Sequence, residues 1–375
     1  MAPDRRRAFN ILHLVSGDLW AGAEAMTFSL LKELKNYQDL SLSVVLLNEG
    51  TLANKLREQG LKVHVIDEKH HRFWDIARKA RRILGASPPD IIHSHRYKEN
   101  MLAALTSLSQ GGAELLATQH GLPECLQEAS LATRLITSAN FHLLSHRFAK
   151  TVAVSHDIRK VLIQRQSFSA DKVEVIHNGI DIPAPRMPAS GSGPMVIGSS
   201  GRLAPVKDYP LMIEIAGALT SINRNGFRFE LAGEGPERPV LEALIERHGL
   251  QERFFLKGHL DDMEGFHHGI DLYIVTSLHE GIPMSVLEAM AQGLPVVAPA
   301  VGGLLEIIDD GREGFLIEGR NPADYAQKCL LLRDNHELRR RMSQAAREKA
   351  ERAFSARIMA ERYYRLYRRI ASCPI

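Results

Sequence analysis

Short apolar, β-branched runs alternate along the chain with longer segments whose apolar positions recur at helical spacing. Residues 9–15, 42–47, 62–66, 90–93, 115–118, 151–154 and 173–176 read as strands. Between them, 24–35, 52–59, 73–84, 98–108 and 156–166 read as helices. In 73–84 the residues Phe73, Ile76, Ala77, Ala80 and Leu84 share one helical face. The rhythm then repeats, with strands at 196–199, 227–231, 254–256, 272–275, 295–298 and 315–317 and helices at 209–221, 238–247, 283–292 and 322–333. Parallel strands need a crossover that returns along a face of the sheet, so this alternation predicts two parallel, doubly wound, Rossmann-like α/β domains with a cleft between them. The Pro/Gly/Ser cluster between Pro183 and Pro194 cannot extend a strand or helix and marks a linker. The expected organisation is 1–183, a linker at 184–194, a second domain at 195–354 and a terminal helix at 355–375. The tail, 334–371, reads as helical throughout and too long for one crossover helix.

At 375 residues, 45% hydrophobic and 24% charged, the chain can bury two cores. A net charge of +3 is too even for a nucleic-acid platform, and the composition excludes collagen, coiled coil and bulk disorder. Cys125, Cys329 and Cys373 are widely spaced and offer neither a disulfide framework nor a zinc knuckle, which fits a reducing, cytoplasmic setting. No apolar run approaches the ~18–20 residues that span a bilayer. Arg5, Arg6 and Arg7 precede an apolar stretch that Asn10 and His13 interrupt, so a first core strand is expected there rather than a signal peptide. The basic segment 69–82, with Phe73 and Trp74, reads as a crossover helix. Its alternative, shared with 126–148 (His142, His146, Arg147) and Lys150, is peripheral contact with anionic lipid at the inner face of the cell membrane.

The densest chemistry follows the strand at 272–275, at a sheet edge where ligands of such folds bind. Gly281 permits close backbone approach and Pro283 suits a first helical turn. The amides of Met284, Ser285 and Val286 are then expected as free donors at a helix N-terminus, an anion site. Glu280 in the loop and Glu288 in the helix can grip two hydroxyl-bearing parts of one ligand; free carboxylates rarely sit among Gly, Pro and apolar neighbours without such a use. A second strand–loop–helix segment carries Arg202 and Lys207, a rigid fork and a mobile point charge that can meet on one anion. It contains neither GxxxxGK[ST] nor GxGxxG.

These residues resemble the retaining, nucleotide-sugar-dependent glycosyltransferases of family 4 (glycosyl transferases group 1), with GT-B architecture. The likeness rests on Glu280-x7-Glu288, Arg202 with Lys207, the Leu231-Ala-Gly-Glu-Gly-Pro236 stretch, Phe255-Leu-Lys-Gly258, and Pro295-Val-Val with Val301-Gly-Gly303 and Glu306. Looser matches are Ala21-Gly-Ala-Glu24, Asp90-Ile-Ile-His-Ser-His95, Thr118-Gln-His-Gly121, Val152-Ala-Val-Ser155 and Asn178-Gly-Ile-Asp181. The resemblance implies transfer of a hexose-type sugar from a UDP- or GDP-sugar to a glycan or lipid-linked acceptor, in synthesis of cell-surface polysaccharide or glycolipid. It implies that Arg202 and Lys207 clamp the donor diphosphate, Glu288 binds the ribose, and Glu280 with the Gly281, Ile282 and Pro283 backbone holds the sugar. Gly258, His259 and Leu260 would face the nucleobase, Gly22 would let a first-domain loop approach the phosphates, and Gly233, Ser285 and Val286 would complete the donor site. His120 matches the family's active-site histidine; Trp20 and His95 fall on the acceptor side. The terminal helix of such enzymes crosses back to the first domain.

No metal or cofactor is implied. No DxD pair sits in a suitable strand-end loop, and Asp261-Asp262 and Asp309-Asp310 read as helix starts or turns. Cations and helix-end amides can stabilise a departing diphosphate themselves, and its oxygen can take the acceptor's proton. His93-x-His95 could imitate a metal pair but lacks the further ligands of a closed barrel. His70-His71 and His267-His268 read as solvated or helix-surface residues. Three departures from the family pattern stand out: Trp20-Ala21-Gly22 where two glycines are common, Thr276-Ser277 in place of Pro-Ser, and Asp208 where glycine is frequent. The competing readings are a nucleotide-sugar epimerase of the same fold and a non-catalytic nucleotide-sugar-binding protein.

Overall fold

The computed structural model describes residues 8–18, 20–107, 112–121, 130–185 and 193–371. Two compact units emerge: one runs to Gly179 and resumes at Ala356, the other is Ile180–Ser355. Most of the expected linker (186–192), the first four residues of 126–148, Arg5, Arg6, Arg7, Cys125, Cys373 and the last residues of the terminal helix lie outside the described residues.

The first unit alternates β1 (Phe9–Val15), α1 (Gly22–Leu34), β2 (Leu40–Leu46), α2 (Thr51–Glu58), β3 (Lys62–Val65), α3 (Phe73–Ala86), β4 (Ile91–Ser94) and α4 (Tyr97–Ser107). It continues with β5 (Glu114–Gln119), α5 (Leu131–Arg147), β6 (Lys150–Ala153), α6 (His156–Arg165) and β7 (Val173–Val175). The strands form one parallel sheet ordered β3-β2-β1-β4-β5-β6-β7. Helix α3 buries Ile76, Ala77, Ala80 and Leu84 and leaves Trp74 68% exposed, as a crossover helix with one apolar stripe should. Helix α5 is capped by the Ser130 hydroxyl, which accepts from the Thr133 amide, and it exposes Leu131, Leu135 and Ile136. Among the described residues no helix is long and apolar enough to cross a membrane.

The second unit contains β8 (Met195–Ser200), α7 (Tyr209–Ile222), β9 (Phe227–Ala232), α8 (Arg238–Arg247), β10 (Phe254–Gly258), α9 (Met263–His268) and β11 (Leu272–Ile274). It ends with α10 (Met284–Ala291), β12 (Val296–Pro299), α11 (Leu304–Ile307), β13 (Gly314–Ile317), α12 (Pro322–Asp334) and α13 (His336–Ala353). Its parallel sheet is ordered β10-β9-β8-β11-β12-β13. Phe229 and Phe254 stack at 5.8 Å in a core that also holds Cys329, whose thiol burial pushes up to about 12. In both sheets the strand order reverses beside the first strand, between β1 and β4 and between β8 and β11. Those are the points where loops diverge and leave room for a ligand.

The basic tail is not one helix. Phe354 and Ser355 interrupt it, and α14 (Ala356–Ala371) belongs to the first unit. It packs on α1, buries Met359, Tyr363, Leu366, Tyr367 and Ile370, and stacks Tyr364 on Tyr37 at 4.2 Å. Asp39 accepts hydrogen bonds from Tyr364 and Arg368, both at 2.8 Å. The short helices α9 and α11 are additions to the sequence-based pattern. The Asp262 carboxylate caps α9 by accepting from the Gly265 amide at 2.8 Å. His267 corrects the expectation of a surface histidine: it is 2% exposed, its ring against Phe266 and Tyr273.

Candidate functional site

At the carboxyl edge of the second sheet, glycines let three loops touch through their backbones. Gly201 follows β8 with φ +155°, and a Cβ there would lie 2.9 Å from the Tyr209 hydroxyl. Gly233 follows β9 with φ +140°, and its Cβ would lie 1.9 Å from the Gly201 carbonyl oxygen. The Gly233 amide donates to the Gly258 carbonyl at 2.8 Å, and the Leu203 amide to that of Glu234 at 2.9 Å. Side chains at these points would separate the loops, which is the physical content of the Gly-rich pattern read from the sequence.

Lys207 ends a 3₁₀ turn, Pro205–Lys207. Its ammonium donates to Glu280 Oε1 at 2.6 Å, and the Ser277 hydroxyl donates to the same oxygen at 2.6 Å. The next residue, Asp208, has φ +44° and ψ +52°. Only glycine adopts that left-handed conformation readily, which explains why glycine is frequent there. Asp208 is ion-paired with Arg320, whose guanidinium also donates to the Thr276 carbonyl at 2.8 Å. The Thr276 hydroxyl in turn donates to the Lys207 carbonyl at 2.9 Å. Arg320 and Thr276 thus orient Lys207, and nothing in their local sequence marks them for that task.

The loop after β11 is buttressed from behind. The Gly303 amide donates to the Glu280 carbonyl at 2.9 Å, and a Cβ on Gly303 would lie 1.7 Å from the Gly281 carbonyl oxygen. Ile282 and Pro283 are buried and lead into α10. One expectation fails here: the Val286 amide is not free but donates to the Pro283 carbonyl at 3.2 Å, because the first turn tightens to an i to i+3 bond. Met284 and Ser285 keep amides without a backbone partner among the described residues. Glu288, one turn into α10, has its carboxyl pushed up to about 7 by burial. Beneath Lys207, Tyr273 exchanges hydrogen bonds with the Ser200 amide and hydroxyl at 3.0 and 2.9 Å, and burial raises the phenols of both Tyr209 and Tyr273 above their ordinary range.

Lys207, Glu280, Ser285 and Val286 therefore line one small cavity with Tyr209 and Tyr273. Arg202 is exposed and stands outside that lining; Gly258 ends β10 and His259 and Leu260 follow it, with the His259 ring exposed, 3.5 Å from Asp261.

In the first unit Gly22 opens α1, exposed. Trp20 is 37% exposed against Phe28, with the Lys55 ammonium 5.2 Å above its ring. Arg96 pairs with the buried Glu24 at 2.7 Å and with Asp18 at 3.1 Å. His120 stands half-buried just past β5, its pKa held down to about 3 by burial and by Arg96. His95 is 3% exposed and meets His120 Nε2 at 3.1 Å, so it lies beneath that histidine rather than at a surface. His13, which the sequence marked only as an interruption of a strand, joins His93 and His95 with ring nitrogens within 4.8 Å.

Two doubly wound units, the second with a lysine and a glutamate joined at its switch point beside a helix N-terminus, define the GT-B class. The structure of Anabaena Alr3699/HepE in complex with UDP is similar, with a TM-score of 0.83 at 21% identity over 96% of this chain and 100% of that one. The chain belongs to the family 4 glycosyltransferases: the family described as Glycosyltransferase Family 4 matches residues 20–183, and that described as Glycosyl transferases group 1 matches 185–349. The poly(ribitol-phosphate) alpha-N-acetylglucosaminyltransferase of Staphylococcus aureus is 29% identical over 46% of this chain, a stretch spanning 35% of that enzyme's length. The uncharacterized glycosyltransferase MJ1178 of Methanocaldococcus jannaschii is 27% identical over 72% of each chain.

Proposed function

We propose that this chain transfers a hexose-type sugar, with retention and without a metal, from a UDP- or GDP-sugar to a glycan or lipid-linked acceptor. The observation that carries the reading is the Lys207 ammonium held 2.6 Å from Glu280 at the mouth of α10. An ammonium and two helix-end amides at one strand edge suit a departing diphosphate. Its three donor protons let Lys207 serve a phosphate while keeping Glu280. In this reading Arg202 joins Lys207 on the diphosphate and Glu280 with Gly281 to Pro283 holds the sugar. Glu288 takes the ribose hydroxyls, and Gly258 to Leu260 meet the base. His120 and Gly22 serve from the first unit. The solved relative from Anabaena binds UDP and UDP-glucose, which supports a uridine donor first. A panel of UDP-, GDP- and ADP-sugars tests it. One donor should raise the melting temperature and be cleaved slowly to free nucleoside diphosphate and sugar. An isomerised nucleotide sugar with its diphosphate bond intact, or binding without turnover, would overturn the transferase.

Glu288 adds a pH signature. A carboxyl that titrates near 7 in the fold and near 4.5 when unfolded contributes stability that is present below about 4.5 and lost as pH rises through 7. The ligand-free Glu288→Gln variant should therefore exceed the parent by about 1–3 kcal/mol at about pH 8 and match it at about pH 4. Ribose hydroxyls donate to the ionised form, so calorimetry should show parental nucleotide affinity weakening toward roughly tenfold per pH unit below about 7. The variant should bind weakly and without that slope; an unchanged affinity would remove Glu288 from the site.

A further inference from the structure

One face of the first sheet carries imidazoles where α/β sheets ordinarily bury aliphatic side chains. His13 on β1 pairs in register with His93 on β4. His95 lies two residues beyond His93, and His120 two beyond Thr118 on β5, so each pair shares a face. Helix α14 supplies Tyr363 and Tyr367, one turn apart. Except for the half-buried His120, every one of these side chains is at most 3% exposed.

Their polar atoms form a single file. The Tyr363 hydroxyl lies 2.8 Å from Thr118 Oγ1, which lies 2.8 Å from His93 Nε2. His93 Nδ1 is 2.8 Å from the Tyr367 hydroxyl, and that hydroxyl is 3.2 Å from His13 Nε2. His13 Nδ1 is 3.2 Å from His95 Nε2, and His95 Nδ1 is 3.1 Å from His120 Nε2. Burial holds all four imidazoles below their ordinary range, so each is neutral at pH 7.

A neutral imidazole donates from one nitrogen and accepts at the other, so the four tautomers cannot be chosen independently. All donors point toward His120, giving four Nδ1–H rings, or all point away, giving four Nε2–H rings; any mixed file leaves at least one further donor or acceptor unpaired. The two ends decide between them. Pointing away leaves the Tyr363 hydroxyl proton, at 0% exposure, with no acceptor among the described residues. That disfavours the arrangement roughly 5- to 150-fold, or about 1–3 kcal/mol. At the other end His120 reaches solvent, where either nitrogen can be satisfied.

We propose that this file is a tautomer lock. Tyr363, Thr118, His93, Tyr367, His13 and His95 are positioning residues that hold His120 in its Nδ1–H form, so that it offers a hydrogen-bond donor, not a base, to a phosphate or sugar oxygen. The spacing of His13, His93 and His95 would also suit a three-histidine zinc site. All six of their ring nitrogens are already hydrogen-bonded, however, and no carboxylate in the file balances a buried dication.

The inference rests on the transferase reading only for what His120 faces; its test needs no substrate, so either can fail alone. Long-range proton–nitrogen correlation spectra of the histidine-labelled full chain distinguish the tautomers. His13, His93, His95 and His120 should all appear as Nδ1–H rings at pH 7. In Thr118→Val, which removes the hydroxyl that pairs with His93 Nε2 and so leaves that nitrogen unpaired in either arrangement, the Nε2–H fraction should rise at least ~fivefold at His93 and His120 together, the lower end of the bias given by one unpaired hydroxyl. Nε2–H rings in the parent overturn the lock, as does a His120 signal that stays fixed while His93 moves. So does one equivalent of zinc bound by the metal-free protein with displacement of these signals. Should the variant fail to fold, the parent spectrum decides alone.

Discussion

Replacing Lys207 by alanine is expected to lower turnover by roughly 10²–10³-fold while leaving the fold intact. A preorganised cation on a charge that develops in the transition state is typically worth ~3–4 kcal/mol, and the Lys207 ammonium lines the cavity beside Glu280. The position itself should survive the change. What anchors it is main chain: the Thr276 hydroxyl donates to the Lys207 carbonyl, and the left-handed Asp208 beside it pairs with Arg320. Alanine keeps both. The Glu280 carboxylate loses one partner but keeps the Ser277 hydroxyl. The melting temperature should therefore move by no more than about 2–4 °C, the shift that about 1 kcal/mol makes in a domain of this size. Arg202→Ala should lower turnover too. Near-parental rates in the Lys207 variant would place the diphosphate elsewhere.

Gly303→Ala should be among the most damaging single methyls in the second unit. The new carbon would lie 1.7 Å from the Gly281 carbonyl oxygen and 2.6 Å from its carbon, both backbone atoms that cannot rotate away. Strain in the residue itself is not the cause, since Gly303 has φ −69°, a value any residue adopts. The collision must instead push the Glu280–Gly281 loop off Gly303 and break the 2.9 Å bond to the Glu280 carbonyl. Overpacking against a fixed backbone is expected to cost about 3–5 kcal/mol in urea unfolding and to abolish nucleotide binding. Gly193→Ala, with open space around its Cβ, should stay within about 0.5 kcal/mol. Equal stabilities of the two variants would mean that the Gly302–Gly303 turn does not support the loop.

What the sequence disclosed was whatever lies within one strand, its loop and the next helix. Gly201 to Lys207, Gly281 to Glu288 and Gly302-Gly303 are local segments, so their residues could be singled out from the local pattern. Helices α9 and α11, with six and four residues, are too short for a periodic signal, and His267 looked exposed because nothing nearby shows which side of so short a helix faces the core. The Arg320–Asp208 pair and the contact of Tyr367 with His13 join positions far apart in the chain. They depend on the register of parallel strands and on where α14 docks, which no local pattern encodes. His93 and His95 could be noticed as a pair; that they continue through His13 and two tyrosines could not.

The return of α14 to the first unit also sets an order of events during synthesis. The first sheet is complete on the ribosome once β7 has emerged, yet its histidine-bearing face stays uncovered until Ile180–Ser355 has been translated. At 5–20 residues per second that interval lasts roughly 10–35 s. For that time the nascent chain must carry an unfinished lobe, whose closure waits on a helix translated after the whole of the second unit.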